Sequence, residues 1–335
     1  MRGVDLTLTP FDFDLTFAAV LMSANGHVYH RYGGRDDRGP GVWLGRDPFA
    51  RALRATLDEH GAGSSEPDPA VSADAQPLFI ERIPAFAKRD RGECVHCHSV
   101  FPALYEEGRA AGTWRPDDRW VYPPPGRIGL DLDARDQALV RVVHPDSVAE
   151  RAGLRPGDRL LQHGTQVLVT ASDLMQVLHD FPNEGGTFEL AFERPGGEAP
   201  SRDVARLELG AGWKRGTPRE FAWRPFKWGF TPAPGFGGNE LTPAESKRLG
   251  LAEDTFAFRV TYLVTWGGNQ RFGRAAARAG LREGDVFLAA AGKRDFESED
   301  HVHAWWRLTR TPGEVVELEV LRDGERRTIS LPVPE

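Results

Sequence analysis

The chain has 335 residues, too many for one ordinary hydrophobic core, so two or three domains are expected. Hydrophobic residues make up 40%, with nine Trp and nineteen Phe, which is ample core material and excludes a disordered chain. The formal net charge of −7, without a Lys/Arg cluster interleaved with aromatics, argues against a nucleic-acid partner. The longest apolar run, Leu15 to Met22, is far too short to span a membrane.

In chain order, Leu15 to Leu21 reads as a buried strand, Asn25-Gly26 as a tight turn and Val28 to Tyr32 as a returning strand ended by Gly33-Gly34. An amphipathic helix is expected from about Asp47, with Pro48 in its first turn and Phe49, Ala52, Leu53 and Leu57 on its apolar face. Residues 63–76, rich in Ser, Pro, Ala and Asp, read as a linker. Hairpin, Gly-Gly and helix, within residues 1–62, resemble the C-terminal half of a thioredoxin fold. The entry Asp14-Leu15-Thr16 lacks the proline that thioredoxins place there, and no first βαβ unit precedes it.

Residues 77–125 contain the pentapeptide Cys94-Val95-His96-Cys97-His98, with both cysteines of the chain in the C-x-x-C-H spacing that attaches c-type haem. On that reading Cys94 and Cys97 bind haem c covalently, and His98 is the axial ligand of the haem iron. Met22, Met175, His60 or an open position are the choices for the far side. A short helix ending at Gly92 is expected before the motif, as in c-type cytochromes, whose local pattern the run Gly92 to Val100 resembles. Pro102, five residues after Cys97, instead matches the kink proline of a thioredoxin helix, so a thiol-disulfide pair at a helix N-terminus stays open. Zinc, needing four ligands, and an inert or structural pair are further alternatives.

The second half contains an internal repeat: Ala152-Gly153-Leu154-Arg155-Pro156-Gly157-Asp158 recurs as Ala279-Gly280-Leu281-Arg282-Glu283-Gly284-Asp285. Gly197-Glu198 recurs as Gly324-Glu325, so a whole module is duplicated. Each copy reads strand, short helix, A-G-L-x-x-G-D, strand, longer helix and hairpin. Gly153 and Gly280 are expected to end the short helix in a left-handed conformation. The two copies, residues 126–208 and 222–334, resemble PDZ domains of the type found in bacterial high-temperature-requirement proteases. The second also carries Glu240-Leu241-Thr242-Pro243-Ala244, similar to the insert such domains place after their binding loop.

The resemblance implies that each module binds a protein C-terminus or exposed strand along an open edge strand and its preceding loop. By family motif that loop lies at Ile128-Gly129-Leu130 in the first copy and at Trp228-Gly229-Phe230, after Lys227, in the second. Trp228 and the insert could equally block the second groove. His301 and His303, two residues apart, point to different helix faces, which suits packing or a groove wall better than joint metal ligation.

No Gly-x-Ser-Gly-Gly or Gly-x-Ser-x-Gly nucleophile motif occurs, so protease chemistry is not expected. The fold class expected is multi-domain α+β: a partial thioredoxin-like segment, a short helical CxxCH segment and two PDZ-like β-sandwich or barrel modules. Together these resemble a bacterial family of thioredoxin-like/PDZ proteins, some of which contain selenocysteine. With the CxxCH reading of haem c, the expectation is an extracytoplasmic or periplasmic electron-transfer protein whose PDZ modules recruit partners. A thiol-disulfide oxidoreductase using Cys94 and Cys97, and a non-catalytic PDZ scaffold, are the alternatives. Met1-Arg2 followed by Asp5, Asp12 and Asp14 is no signal peptide, so export implies that the true start lies upstream.

Overall fold

The computed structural model describes residues 3, 5–7, 9–63, 77–86, 95–196 and 199–335. The expected linker, the approach to the CxxCH motif and Cys94 lie outside the described residues. The chain divides into two compact units, Met1–Gly216 and Thr217–Glu335.

In the first unit, β1 (Ala18–Met22) and β2 (Val28–Gly33) form an antiparallel hairpin around Asn25-Gly26. Every residue of β2 is buried, so this strand is covered on both faces. α1 (Arg46–Gly61) follows, but not with the expected face inward. Pro48 and Ala52 are buried, whereas Leu53 and Leu57 are 42% and 70% exposed. The helix is held through its first turn, where Phe49 lies 4.7 Å from the Tyr32 ring, and by Glu59 further along. α2 (Val100–Ala111) ends at Gly112 in a left-handed cap.

The repeat follows. β3 (Leu130–Leu132) pairs with β4 (Val140–Val143), and α3 (Val148–Arg151) is capped by the Ser147 hydroxyl, which accepts from Glu150 N. Next come β5 (Arg159–His163), β6 (Gln166–Val167), α4 (Ala171–Asp180) and the long hairpin β7 (Gly186–Arg194) with β8 (Ser201–Leu209). Their sheet order is β6-β5-β7-β8. Strand alternation puts Phe188, Leu190, Phe192, Ala205 and Leu207 in one core with Leu174 and Leu178 of α4. Trp43, wholly buried, belongs to the same core although it precedes the repeat by more than eighty residues.

The second unit opens with α5 (Pro218–Phe221) and a 3-10 turn at Pro225–Gly229. β9 (Phe236–Glu240), α6 (Pro243–Arg248), β10 (Phe258–Leu263), α7 (Gln270–Arg278) and β11 (Val286–Ala290) come next. α8 (Glu299–Thr309), β12 (Val315–Arg322) and β13 (Glu325–Pro332) complete an antiparallel sheet of order β13-β12-β11-β10-β9. α6 is the expected insert: Thr242 caps it, and Leu241, Leu249 and Leu251 pack on Ala257, Val286, Leu288 and Leu321.

The A-G-L-x-x-G-D motif works identically in both units. Gly153 and Gly280, at φ +82° and +96°, end α3 and α7 in the left-handed region, as expected. Val140 accepts from Gly157 N and donates to Asp158 O, and Val260 repeats both bonds with Gly284 and Asp285. The Asp carboxylate then caps the turn by accepting from Arg155 N or Arg282 N. Each buried Asp is paired with an arginine from a distant strand: Arg194 of β7 on Asp158 and Arg322 of β12 on Asp285. Those arginines also donate to the Gly153 and Gly280 carbonyls, which closes the helix end onto the sheet.

Candidate functional site

A strand-accepting groove needs an unpaired strand edge beside a helix wall. Among the described residues β3 pairs only with β4, and β9 is the last strand of its sheet. α4 and α8 are the corresponding helices, capped by Thr170 and Ser298, whose hydroxyls accept from Asp173 N and His301 N. Counting from these caps, Ala171, Met175 and His179 of α4 match Glu299, His303 and Arg307 of α8.

The glycine opening the edge strand is set by backbone contact. His144 N donates to Gly129 O (2.9 Å), and Val264 N donates to Gly235 O (2.8 Å) in the same role. Gly129 and Gly235 have φ +87° and +82°, and a Cβ on either would lie 2.1 Å from Ser147 Cβ or 2.3 Å from Phe272 C. Only glycine fits there. Ile128, Gly129 and Leu130 stand at the start of β3, with Ile128 and Leu130 wholly buried. The expected second loop does not stand at the start of its strand: Trp228 and Gly229 belong to the 3-10 turn Pro225–Gly229, Phe230 follows it, and β9 starts after Gly235. Trp228-Gly229-Phe230 and Gly235-Phe236-Gly237 both offer a glycine beside an aromatic. The backbone bond to Val264 decides between them.

Both helix walls are already covered. In the first unit Ala171 to Leu178 are all buried. Gly34 lies so close to Met175 that a Cβ there would be 2.9 Å from its Cε. Ser172 Oγ donates to Gly33 O (2.6 Å), and Asp173 Oδ1 accepts from Arg31 N (2.7 Å). Gln137 Nε2 donates to Trp43 O, while its Oε1 accepts from Ala171 N, tying Trp43 to the helix start. His30, wholly buried, sits between Glu59 (2.9 Å) and Asp173 (3.2 Å). Burial lowers its pKa, but the two carboxylates outweigh that and raise it from 6.5 to about 9. Tyr122, held at φ +47°, stacks on His179 at 4.1 Å.

In the second unit the counterpart of Tyr122 is Trp228, each seven residues ahead of its strand-opening glycine. The Trp228 ring meets His303 edge-on at 4.9 Å and lies 5.0 Å from the Arg307 guanidinium. Gly237 has no side chain, which lets Tyr262 Oη reach across to 2.2 Å from where a Cβ would be. Glu299 Oε1 accepts from Gly238 N (2.8 Å) on the β9 edge, and His303 Nε2 lies 3.4 Å from the same oxygen. Burial raises the Glu299 carboxyl, yet the attraction of His303 and the Gly238 N–H hold it below the usual range. Burial pushes His303 down against the pull of Glu299, and pulls Arg307 down to about 10.

Of the pentapeptide, Cys97 opens a 3-10 turn, Cys97–Ser99, that runs into α2. Val95 and Val100 are buried, Cys97 is half-buried and His98 is exposed. Cys97 and His98 of the motif thus stand at the start of α2, while Cys94 lies outside the described residues. Met175 belongs to the first groove wall, His60 Nδ1 is bonded to Tyr29 Oη (2.7 Å) and Met22 ends β1. Among the described residues no group of three or more His, Cys, Asp or Glu side chains could hold a metal ion. No described helix is long and apolar enough to cross a membrane.

The PDZ domain family matches residues 139–180, from the start of β4 to the end of α4. Two solved structures are similar: the HtrA-type protease AlgW with decapeptide, and a variant of AlgW with decapeptide. The first is 20% identical over 43% of this chain and 41% of its own, with a TM-score of 0.25. The second is 19% identical over 43% and 40%, with a TM-score of 0.27. The chain thus spans about two fifths of the length of these proteases. No curated protein matches it.

Proposed function

We propose that this chain is a peptide-binding protein without protease activity, whose strand–helix grooves at β3/α4 and β9/α8 take up C-termini or exposed strands of partner proteins. The observation that carries this reading is the PDZ domain at residues 139–180, a module whose edge strand accepts a peptide as an added strand. The second groove is included because Gly235 accepts from Val264 N as Gly129 accepts from His144 N, and Ser298 caps α8 as Thr170 caps α4. Phage display of random peptides against the full chain tests it. Selected peptides should lose binding in Gly129→Val or Gly235→Val, which displace the loop but leave the opposite unit intact. A chain that selects no peptide overturns the reading.

A second reading rests on Cys97 and His98 at the exposed start of α2. With Cys94 they would hold haem c, His98 as the axial ligand, and the group would supply one-electron transfer. Expression with a cytochrome c maturation system should give a Soret band that Cys97→Ala abolishes. Catalytic insulin reduction without such a band would point instead to a thiol-disulfide oxidoreductase.

A further inference from the structure

The wall of the second groove is short of an anion. Arg307 is 7% exposed, and among the described residues its hydrogen bond goes to the Phe230 carbonyl and its cation faces the Trp228 ring. Among the described residues no carboxylate lies within ion-pair distance of it, and its Nε has no acceptor. His303, 3% exposed, has Glu299 Oε1 3.4 Å from its Nε2 and no acceptor at Nδ1. Buried donors are almost always satisfied, and a buried cation without a counter-charge is costly. Glu299, the only acid in this row, is already shared between Gly238 N and His303 and stands two turns from Arg307. The matching row of α4, Ala171, Met175 and His179 beside Leu178, has no such deficit: it is largely apolar and packed.

Resting on the peptide-binding reading above, we propose that the β9/α8 groove selects an extended peptide bearing an Asp or Glu side chain, whose carboxylate is held by Arg307 and His303 once Trp228 swings aside. A side chain is favoured over a chain terminus by position. Backbone N–H groups of the loop before the edge strand receive a terminus, whereas Arg307 projects from the helix wall. Trp228 is suited to act as the cover: it is 45% exposed, and ring contacts alone hold it over Arg307 and His303. The guanidinium provides two parallel donors that match a carboxylate, and the water-poor setting strengthens the pair.

The test uses the full chain and the side-chain Nε–H resonance of Arg307 in NMR, assigned by its loss in Arg307→Lys. N-acetyl-glutamate amide, which carries only a side-chain carboxylate, should shift that resonance with at least about tenfold tighter binding than N-acetyl-glutamine amide. Trp228→Ala should tighten it further, and Arg307→Gln should abolish the preference. A thermal melt shows whether Arg307→Gln is folded, and Arg307→Lys, retaining charge without the fork, should keep a weakened preference. Equal response to the two amides overturns the proposal, as does a preference that survives Arg307→Gln. Tighter binding of N-acetylglycine, a terminal carboxylate, would overturn the side-chain assignment. A shift of Arg307 in a chain that selects no peptides would remove the peptide-binding reading and leave an anion site. Peptide binding indifferent to Glu or Gln would remove only the selectivity.

Discussion

The walls of the two grooves have the same geometry and opposite chemistry. α4 turns Ala171, Met175 and His179 toward its groove and is sealed by an N-terminal segment bonded along it, with Gly33, Gly34, Trp43 and Tyr122 against the helix. α8 turns Glu299, His303 and Arg307 and is covered by one half-exposed Trp228 and one charge-assisted hydrogen bond. The first wall is held by burial together with the bonds of Ser172 and Asp173 to β2, so opening it means exposing a core. The polar wall is held by interactions that an incoming carboxylate or backbone can replace one for one. The same repeated motif can therefore carry helix walls of different chemistry.

Trp43→Ala tests that contrast most severely. Trp43 is wholly buried in the core of the first unit, so its loss should cost about 3–5 kcal/mol, read as a lowered denaturation midpoint of that unit. An unchanged midpoint would mean that the N-terminal segment is only laid on the groove.

His30 comes next. Its pKa is higher folded than unfolded, about 9 against 6.5, so its contribution is fully present below pH 6.5 and lost as pH rises through about 9. Such a shift is worth about 3 kcal/mol. Melting of the first unit should therefore fall across that window, and His30→Gln should flatten the slope. A slope unaltered by the substitution would assign the titration elsewhere.

Asp158→Asn and Asp285→Asn form a matched pair, each weakening one bidentate arginine contact. Each should destabilise its own unit by about 2 kcal/mol, since a buried charged partner is left incompletely satisfied. Unequal losses would show that the two modules differ in their framework and not only in their grooves.

The smallest effect belongs to Trp228→Ala, at most about 1 kcal/mol in stability because the ring is half-exposed. It should nevertheless raise peptide affinity in the second unit severalfold, measured by fluorescence anisotropy. Gly34→Ala in the first unit would strain the packing on Met175 and is not expected to expose a binding surface.

Much of the local structure is legible in the residues. Asn25-Gly26 marks the hairpin, Pro48 the start of α1, and the two A-G-L-x-x-G-D runs mark the helix ends at Gly153 and Gly280. Local signals of this kind act over a few residues and need no partner. Leu53 and Leu57 show where pattern misleads: they lie at helical spacing, yet they face solvent because Pro48, Phe49 and Glu59 hold α1 through other positions. Arg194 and Arg322 are the converse case, since an arginine at a strand end carries no mark of the aspartate it meets 36 or 37 residues away.

The duplication, the turn chemistry and the pairing of CxxCH with an export question were written in short motifs, where one residue constrains its immediate neighbours. Which glycine opens the second edge strand depended on a backbone bond from Val264 to Gly235, across the inserted α6. Whether each groove stands open depended on what the fold lays over it: Gly34 and Tyr122 on α4, Trp228 and Glu299 on α8. Those contacts join residues distant in the chain, and burial, which decides their strength, exists only once the chain has folded.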